Sequence, residues 1–132
     1  MFFSEFTVRN CPDENGIAIY GENSTLIENR ITNNTIGISL FGNESEIVGN
    51  SICSNFQGVW MANNVEYSKL YYDNFFNNTQ HFYHQSPSQG LNSWDNGYAG
   101  NFWNNYTGAD LNGDGIGDTP IFLTQMTRII IL

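Results

Sequence analysis

Apolar side chains recur along this chain as short alternating pairs set between Gly, Asn and Ser. Ile17/Ile19, Ile38/Leu40 and Val59/Met61 alternate with a period of two, which places them on one face of a strand and Ala18, Ser39 and Trp60 on the other. A second strand signal carries Leu26, Ile47 and Leu70, and after a bend Ile31, Ile52 and Phe75. The early part of this pattern repeats every 21 residues: Gly16-Ile17-Ala18-Ile19 returns as Gly37-Ile38-Ser39-Leu40 and then as Gly58-Val59-Trp60-Met61. No stretch shows helical periodicity. A period near 20 residues marks a solenoid, in which each unit buries its apolar face only by stacking on its neighbours. The pattern therefore predicts an all-β chain, a parallel β-helix of about three to four coils over residues 1–93, with two or three short strands per coil.

The polar positions support the same register. Asn29 and Asn50 stack with Asp73, and Asn34, Asn55 and Asn78 share a second row. Amides repeated at coil spacing bond to their copies above and below, so these rows read as structural ladders, with a row of ligand-binding amides as the alternative. Cys11 falls near the Asn34 position and Cys53 aligns with Thr32, two coils apart at about 4.8 Å per coil, beyond disulfide reach. Free thiols are expected. The third coil is two residues longer between Val59 and Ser68, so a loop bulges around Asn63-Asn64. Trp60 projects outward beside it, as a sugar-stacking platform or a surface for the C-terminal segment to cover.

From Tyr71 onward aromatics accumulate, and an open solenoid end must be covered. Residues 94–121 are expected to form an irregular aromatic cap followed by an Asp/Gly-rich loop. Trp94, Tyr98, Trp103 and Tyr106 are candidates for capping or, with Trp60, for stacking on sugar rings. In the loop, Asp110, Asn112, Asp114, the Ile116 carbonyl and Asp118 occupy alternate positions, with Gly115 at the turn. That matches the first nine positions of an EF-hand-type loop, but Ile121 stands where the bidentate Glu belongs. The expectation is a structural Ca²⁺ site outside an EF-hand, against a bare Asp/Gly turn. His81 and His84 are a second candidate metal pair, with solvent-exposed histidines the plainer account.

Composition narrows the partners. The 132 residues carry a formal charge of −9 and four basic side chains, Arg9, Arg30, Lys69 and Arg128. Nucleic acid and anionic membrane need clustered Lys and Arg, and polyanionic substrates are disfavoured for the same reason. Neutral sugars and cations fit. The N-terminal segment has no basic n-region or apolar stretch of signal-peptide length, and the terminal Arg-Ile-Ile-Ile-Leu is too short to span a bilayer. The chain reads as the C-terminal part of something longer, with any export signal outside it. Its open first coil, around Phe6 to Val8, is expected to self-associate.

The Asn-x-Ile, Asn-Asn and Gly-Ile coils, together with the segment NSWDNGYAGNFWNNYTGADLNGDGIGDTPI, resemble the NosD-type parallel β-helix repeats of archaeal secreted and surface proteins. The resemblance covers about residues 16 to 121. It implies a right-handed β-helix, an extracytoplasmic or cell-surface location and a carbohydrate-associated or surface-structural role. Residues 122–132 depart from it as an apolar tail, for which a truncated or frameshifted end is one reading. No pair of acidic residues falls in register across the coils, so no catalytic residue is assigned. The expectation is a noncatalytic secreted or cell-surface module that binds glycan, contacts another surface protein or spaces domains. The alternatives are the C-terminal part of a polysaccharide hydrolase or lyase, and a periplasmic copper-handling accessory protein.

Overall fold

The computed structural model describes residues 1–85, 91–122 and 128–131, with side chains through residue 119. The first coil holds β1 (Phe2–Ser4), β2 (Thr7–Arg9) and β3 (Asn15–Ile19), and the second β4 (Thr25–Ile27), β5 (Arg30–Thr32) and β6 (Ile36–Leu40). The third holds β7 (Glu46–Val48), β8 (Ser51–Cys53) and β9 (Gln57–Met61), and the fourth β10 (Lys69–Tyr71), β11 (Asn74–Phe76) and β12 (Gln80–His84). Equivalent strands pair in parallel, giving sheets ordered β1-β4-β7-β10, β2-β5-β8-β11 and β3-β6-β9-β12. The chain is a parallel β-helix of four three-sided coils. Pairing begins at β1, one strand before the segment expected to start it, and Phe2 and Phe6 stand exposed on that open end.

The expected columns form. Leu26, Ile47 and Leu70 stack in the first sheet, and Ile31, Ile52 and Phe75 in the second. Ile17, Ile38, Val59 and Phe82 stack in the third, beside Ile19, Leu40 and Met61. All of these are buried in one continuous core. The two cysteines are free, Cys53 buried and Cys11 half-buried.

From the second coil onward three corners close each coil, and all are built alike. A left-handed residue precedes a buried polar one: Asn23-Ser24, Glu28-Asn29 and Asn33-Asn34 in the second coil, then Glu44-Ser45, Gly49-Asn50 and Ser54-Asn55 in the third. Tyr67-Ser68 and Tyr72-Asp73 follow in the fourth, with Asn77-Asn78, whose Asn78 is half-buried. The φ angles at these corners run from 52° (Asn23) to 68° (Gly49). The buried side chain accepts the backbone N–H of the coil below: Asn29 N to Asn50 Oδ1 at 2.9 Å, Asn50 N to Asp73 Oδ1 at 2.7 Å, Asn34 N to Asn55 Oδ1 at 3.0 Å. Ser24, Ser45 and Ser68 form a third ladder of the same kind, with Ser45 N to Ser68 Oγ at 3.1 Å. In the second and third coils one column has no room for a side chain: a Cβ on Gly37 would lie 2.5 Å from the Gly58 carbonyl, and one on Gly58 2.5 Å from that of His81.

Above the fourth coil the chain forms a partial fifth turn where an irregular cap was expected. Ser93 bridges to Lys69, and β13 (Phe102–Trp103) adds to the second sheet. Asn92 and Asn101 continue two ladders, accepting from Ser68 N at 3.0 Å and Asp73 N at 2.9 Å. Trp103 lies flat on Phe75 at 4.3 Å and Trp94 meets Phe82 edge-on at 4.4 Å, closing the core. Beyond it, β14 (Gly117–Phe122) pairs antiparallel with β15 (Arg128–Ile131). Residues 123–127 and 132 of the expected tail lie outside the described residues.

Asn50→Ala strips partners from the buried Asn29 N–H and amide and from the Leu26 carbonyl. Urea denaturation should show a loss of about 3–5 kcal/mol, at 1–3 kcal/mol for each buried group left unsatisfied. The half-buried neighbour Ser51→Ala should stay within about 0.5 kcal/mol.

Candidate functional site

On the first sheet the corner residues and the strands that follow them build a groove. Thr25, Glu46 and Lys69 lie in register on β4, β7 and β10. The left-handed residues Asn23, Glu44 and Tyr67 form a second column two positions earlier. The ladder serines between them are buried, so these two columns line the outside. Together the six residues line an open cavity of about 630 Å³. Two carboxylates, one ammonium, an amide, a hydroxyl and a phenol ring 56% exposed make it polar, with a net acidic lining. Glu46 and Lys69 are direct cross-strand neighbours of opposite charge. Composition does not reveal this groove. Its available signal is an aromatic, Tyr67, in a column otherwise filled by Asn and Glu.

The expected stacking residues separate into different environments. Trp60 lies on the outer face of the third sheet, in register with Ser39 and Tyr83, and is half-buried. Phe41 packs against it at 5.3 Å and itself stacks on Tyr20 at 4.5 Å. Trp94 and Trp103 are 2% and 1% exposed, so they close the core and offer no ring face to a sugar. Tyr106 is wedged where a Cβ on Gly108 or Gly117 would clash with its ring, and its hydroxyl donates to the Thr119 carbonyl at 2.8 Å. Tyr98, at 83% exposure, is open.

The Asp110 loop is held by its own amides. Asp110 accepts from Gly113 N, Asp114 N and Gly115 N at 2.7, 3.2 and 2.9 Å. Asn112 Oδ1 accepts from Asp114 N, Asp114 Oδ1 from Ile116 N, and Asp118 Oδ2 from Leu111 N. Among the described residues no group of three or more His, Cys, Asp or Glu side chains stands where it could hold a metal ion. The calcium expectation finds no support here, because these carboxylates are turned onto backbone donors of the loop.

His81 and His84 are buried, not solvent-exposed. Three positions apart on β12, they point to opposite sides of the strand, which prevents convergence on one ion. His84 follows the inward row of Leu40 and Met61. His81 takes the place of the column glycines and lies edge-on to Phe75 at 6.1 Å and Trp103 at 5.7 Å, with Nδ1 3.1 Å from the Asn78 amide. Burial pushes its imidazole below the ordinary 6.5, while hydrogen bonds to the Asn104 and Asn105 side chains oppose the shift.

The folded protein thus binds this proton less readily than the unfolded chain does, so stability is lost as pH falls below 6.5 and towards the lowered folded value. Melting temperatures between pH 7 and pH 5 should fall more steeply for the native protein than for His81→Phe. Equal slopes would remove His81 from this linkage.

A family model described as periplasmic copper-binding protein (NosD) matches residues 4–108, which span the four coils and the start of the fifth but stop short of the Asp110 loop. No curated protein and no solved structure matches the chain. Copper favours imidazole, thiolate and thioether donors. The described residues do not fit such a centre: the histidines diverge, Cys11 and Cys53 lie on different coils, and the Met61 sulfur, in register with His84, accepts the Asn92 amide at 3.4 Å. With four-fifths of its length inside that match, and with the stacked parallel coils in place, the chain belongs to the NosD family of parallel β-helix proteins.

Proposed function

We propose that this chain is a noncatalytic glycan-binding β-helix module that works outside the cytoplasm. The groove lined by Asn23, Thr25, Glu44, Glu46, Tyr67 and Lys69 carries the reading. The groove sets one exposed aromatic ring, Tyr67, among five polar side chains, a lining that suits the mixed C–H and hydroxyl surface of a sugar. The exposed Tyr67 ring offers a face for the C–H side of a pyranose. Glu44 and Glu46 accept hydroxyl hydrogens in charge-assisted bonds, and Lys69, Asn23 and Thr25 donate to hydroxyl or ring oxygens. Successive coils rise by about 4.8 Å, so the same two columns offer contacts at three levels along an extended chain. The acidic lining and the overall charge of −9 favour neutral or amino sugars over uronates, sulfates and phosphates. The family description as periplasmic agrees with an extracytoplasmic setting.

A glycan array followed by calorimetry tests this. Neutral or amino-sugar glycans should bind, and Tyr67→Asn should weaken binding more than about 10-fold, a loss of roughly 1.4 kcal/mol. Asn tolerates the left-handed backbone at this corner, so that variant keeps the coil. An array without a hit would sink the reading. Release of reducing sugar by the native protein would replace binding with catalysis.

A further inference from the structure

The ladder on the second corner changes chemistry at its third rung. Asn29, Asn50 and Asn101 are amides, whereas Asp73 is a carboxyl group, wholly buried. Its Oδ1 does what an amide oxygen does, accepting Asn50 N at 2.7 Å and Asn50 Nδ2 at 2.9 Å. Its Oδ2 therefore occupies the place of the amide nitrogen, and it has no hydrogen-bond partner.

What that place requires is set by the other rungs. Asn29 Nδ2 donates to the Phe3 carbonyl at 2.9 Å, Asn50 Nδ2 to the Leu26 carbonyl at 3.1 Å and Asn101 Nδ2 to the Leu70 carbonyl at 2.9 Å. The Asn34 ladder repeats the rule, with Asn55 Nδ2 on the Ile31 carbonyl and Asn78 Nδ2 on the Ile52 carbonyl. In every case the acceptor belongs to the inward residue three positions before the corner residue one coil below. For Asp73 that residue is Ile47. The amides of Asn29 and Asn50 also donate upward to the next Oδ1, and for Asp73 that acceptor is Asn101 Oδ1. An ionised Asp73 would set a negative oxygen between two acceptors in the dry core, with nothing to donate to either.

We propose that Asp73 is carried as a neutral carboxylic acid whose Oδ2 hydrogen replaces the ladder amide, so that this ladder contact between the third and fourth coils depends on one exchangeable proton. Burial holds the group well above the ordinary carboxylate value of 3.8, and only the two Asn50 hydrogen bonds oppose the shift. Its titratable neighbours are phenols. Tyr71, on β10, is itself held above 10.0 by burial first and then by Glu46, Asp73 and Tyr72. The exposed Tyr72 precedes Asp73 at the corner, in the column of Glu28 and Gly49. No cation contributes to holding the Asp73 charge. Loss of the proton to water leaves a carboxylate against the Ile47 carbonyl and loosens the fourth coil and everything stacked on it.

The sign follows from linkage. The folded state holds the proton more tightly than the unfolded chain, so this contribution is full below about 3.8 and is lost as pH rises through the raised folded value. Asp73→Asn is nearly isosteric and supplies both amide hydrogens, so the variant should fold. Its melting temperature should exceed that of the native protein, with the gap widening from pH 4 to pH 9 and reaching about 3–8 °C at the upper end. His81 is present in both chains, so its acid-side effect cancels in the difference. Difference infrared spectra at neutral pH should show a protonated-carboxyl carbonyl band in the folded native protein that Asp73→Asn lacks. A gap that stays constant with pH, a variant less stable than the native protein at pH 8, or the absence of that band would each overturn the proposal.

Discussion

From the second coil onward this spiral depends on one local arrangement: a left-handed residue followed by a side-chain oxygen that accepts an N–H from the coil below. Left-handed backbone costs roughly 1–2 kcal/mol for an ordinary residue, and ten non-glycine residues adopt it among the described residues. The bend turns the next N–H inward, where an unpaired donor would cost about 1–3 kcal/mol more. A short side chain with an oxygen resolves both, because it serves the coil below while its own N–H is served from above. Ser, Asn and Asp are short enough to do this from the corner itself, and those types, Asn above all, fill these positions. The corner thus sets coil spacing and register, and the apolar columns stack because the corners hold them in line.

The same arrangement leaves the outside free. In each corner the ladder residue points in and the left-handed residue before it points out, so the outer column carries whatever side chain the surface needs. Asn23, Glu44 and Tyr67 share one backbone conformation and have no chemistry in common. Thr25, Glu46 and Lys69 differ as widely at a single strand position. Function on such a scaffold is therefore written in positions that the fold does not constrain. It is read by comparing residues down an outer column, not by scanning for a contiguous motif.

That division explains what the sequence reveals. Period-two apolar pairs at a 21-residue spacing identify the coils, because the core columns repeat in kind. The aligned Asn rows are equally legible, since identical polar residues at a fixed interval have few other uses. The serine ladder is harder to see, because Ser is common in turns and its hydroxyl role depends on burial. The groove is least legible, because its residues are all different. The histidine pair is misread for a related reason, and the same limit leaves the Asp110 loop open between its two readings. Spacing alone does not say whether a carboxylate faces an ion or a backbone amide, and three-residue spacing unites side chains on a helix but separates them on a strand. Trp94 and Trp103 are aromatic enough for a platform, yet the open core above Phe75 and Phe82 claims them first.

The fourth coil departs from the repeat in a consistent direction. Along the second sheet the inward column runs Val8, Ile31, Ile52, Phe75 and Trp103, its side chains enlarging towards the end. Gly16, Gly37 and Gly58, each crowded by a carbonyl of the next coil, give way to His81 on β12, the edge strand of the third sheet among the described residues. Aromatic bulk fills space that another identical coil would otherwise occupy. Asp73 belongs to this series as its polar member. Where the stack changes from repetition to closure, the amide yields to a group whose hydrogen can come and go. Closure of the apolar end and this proton-dependent contact therefore sit in the same turn, so titrating Asp73 acts on the aromatic closure before it reaches the coils below.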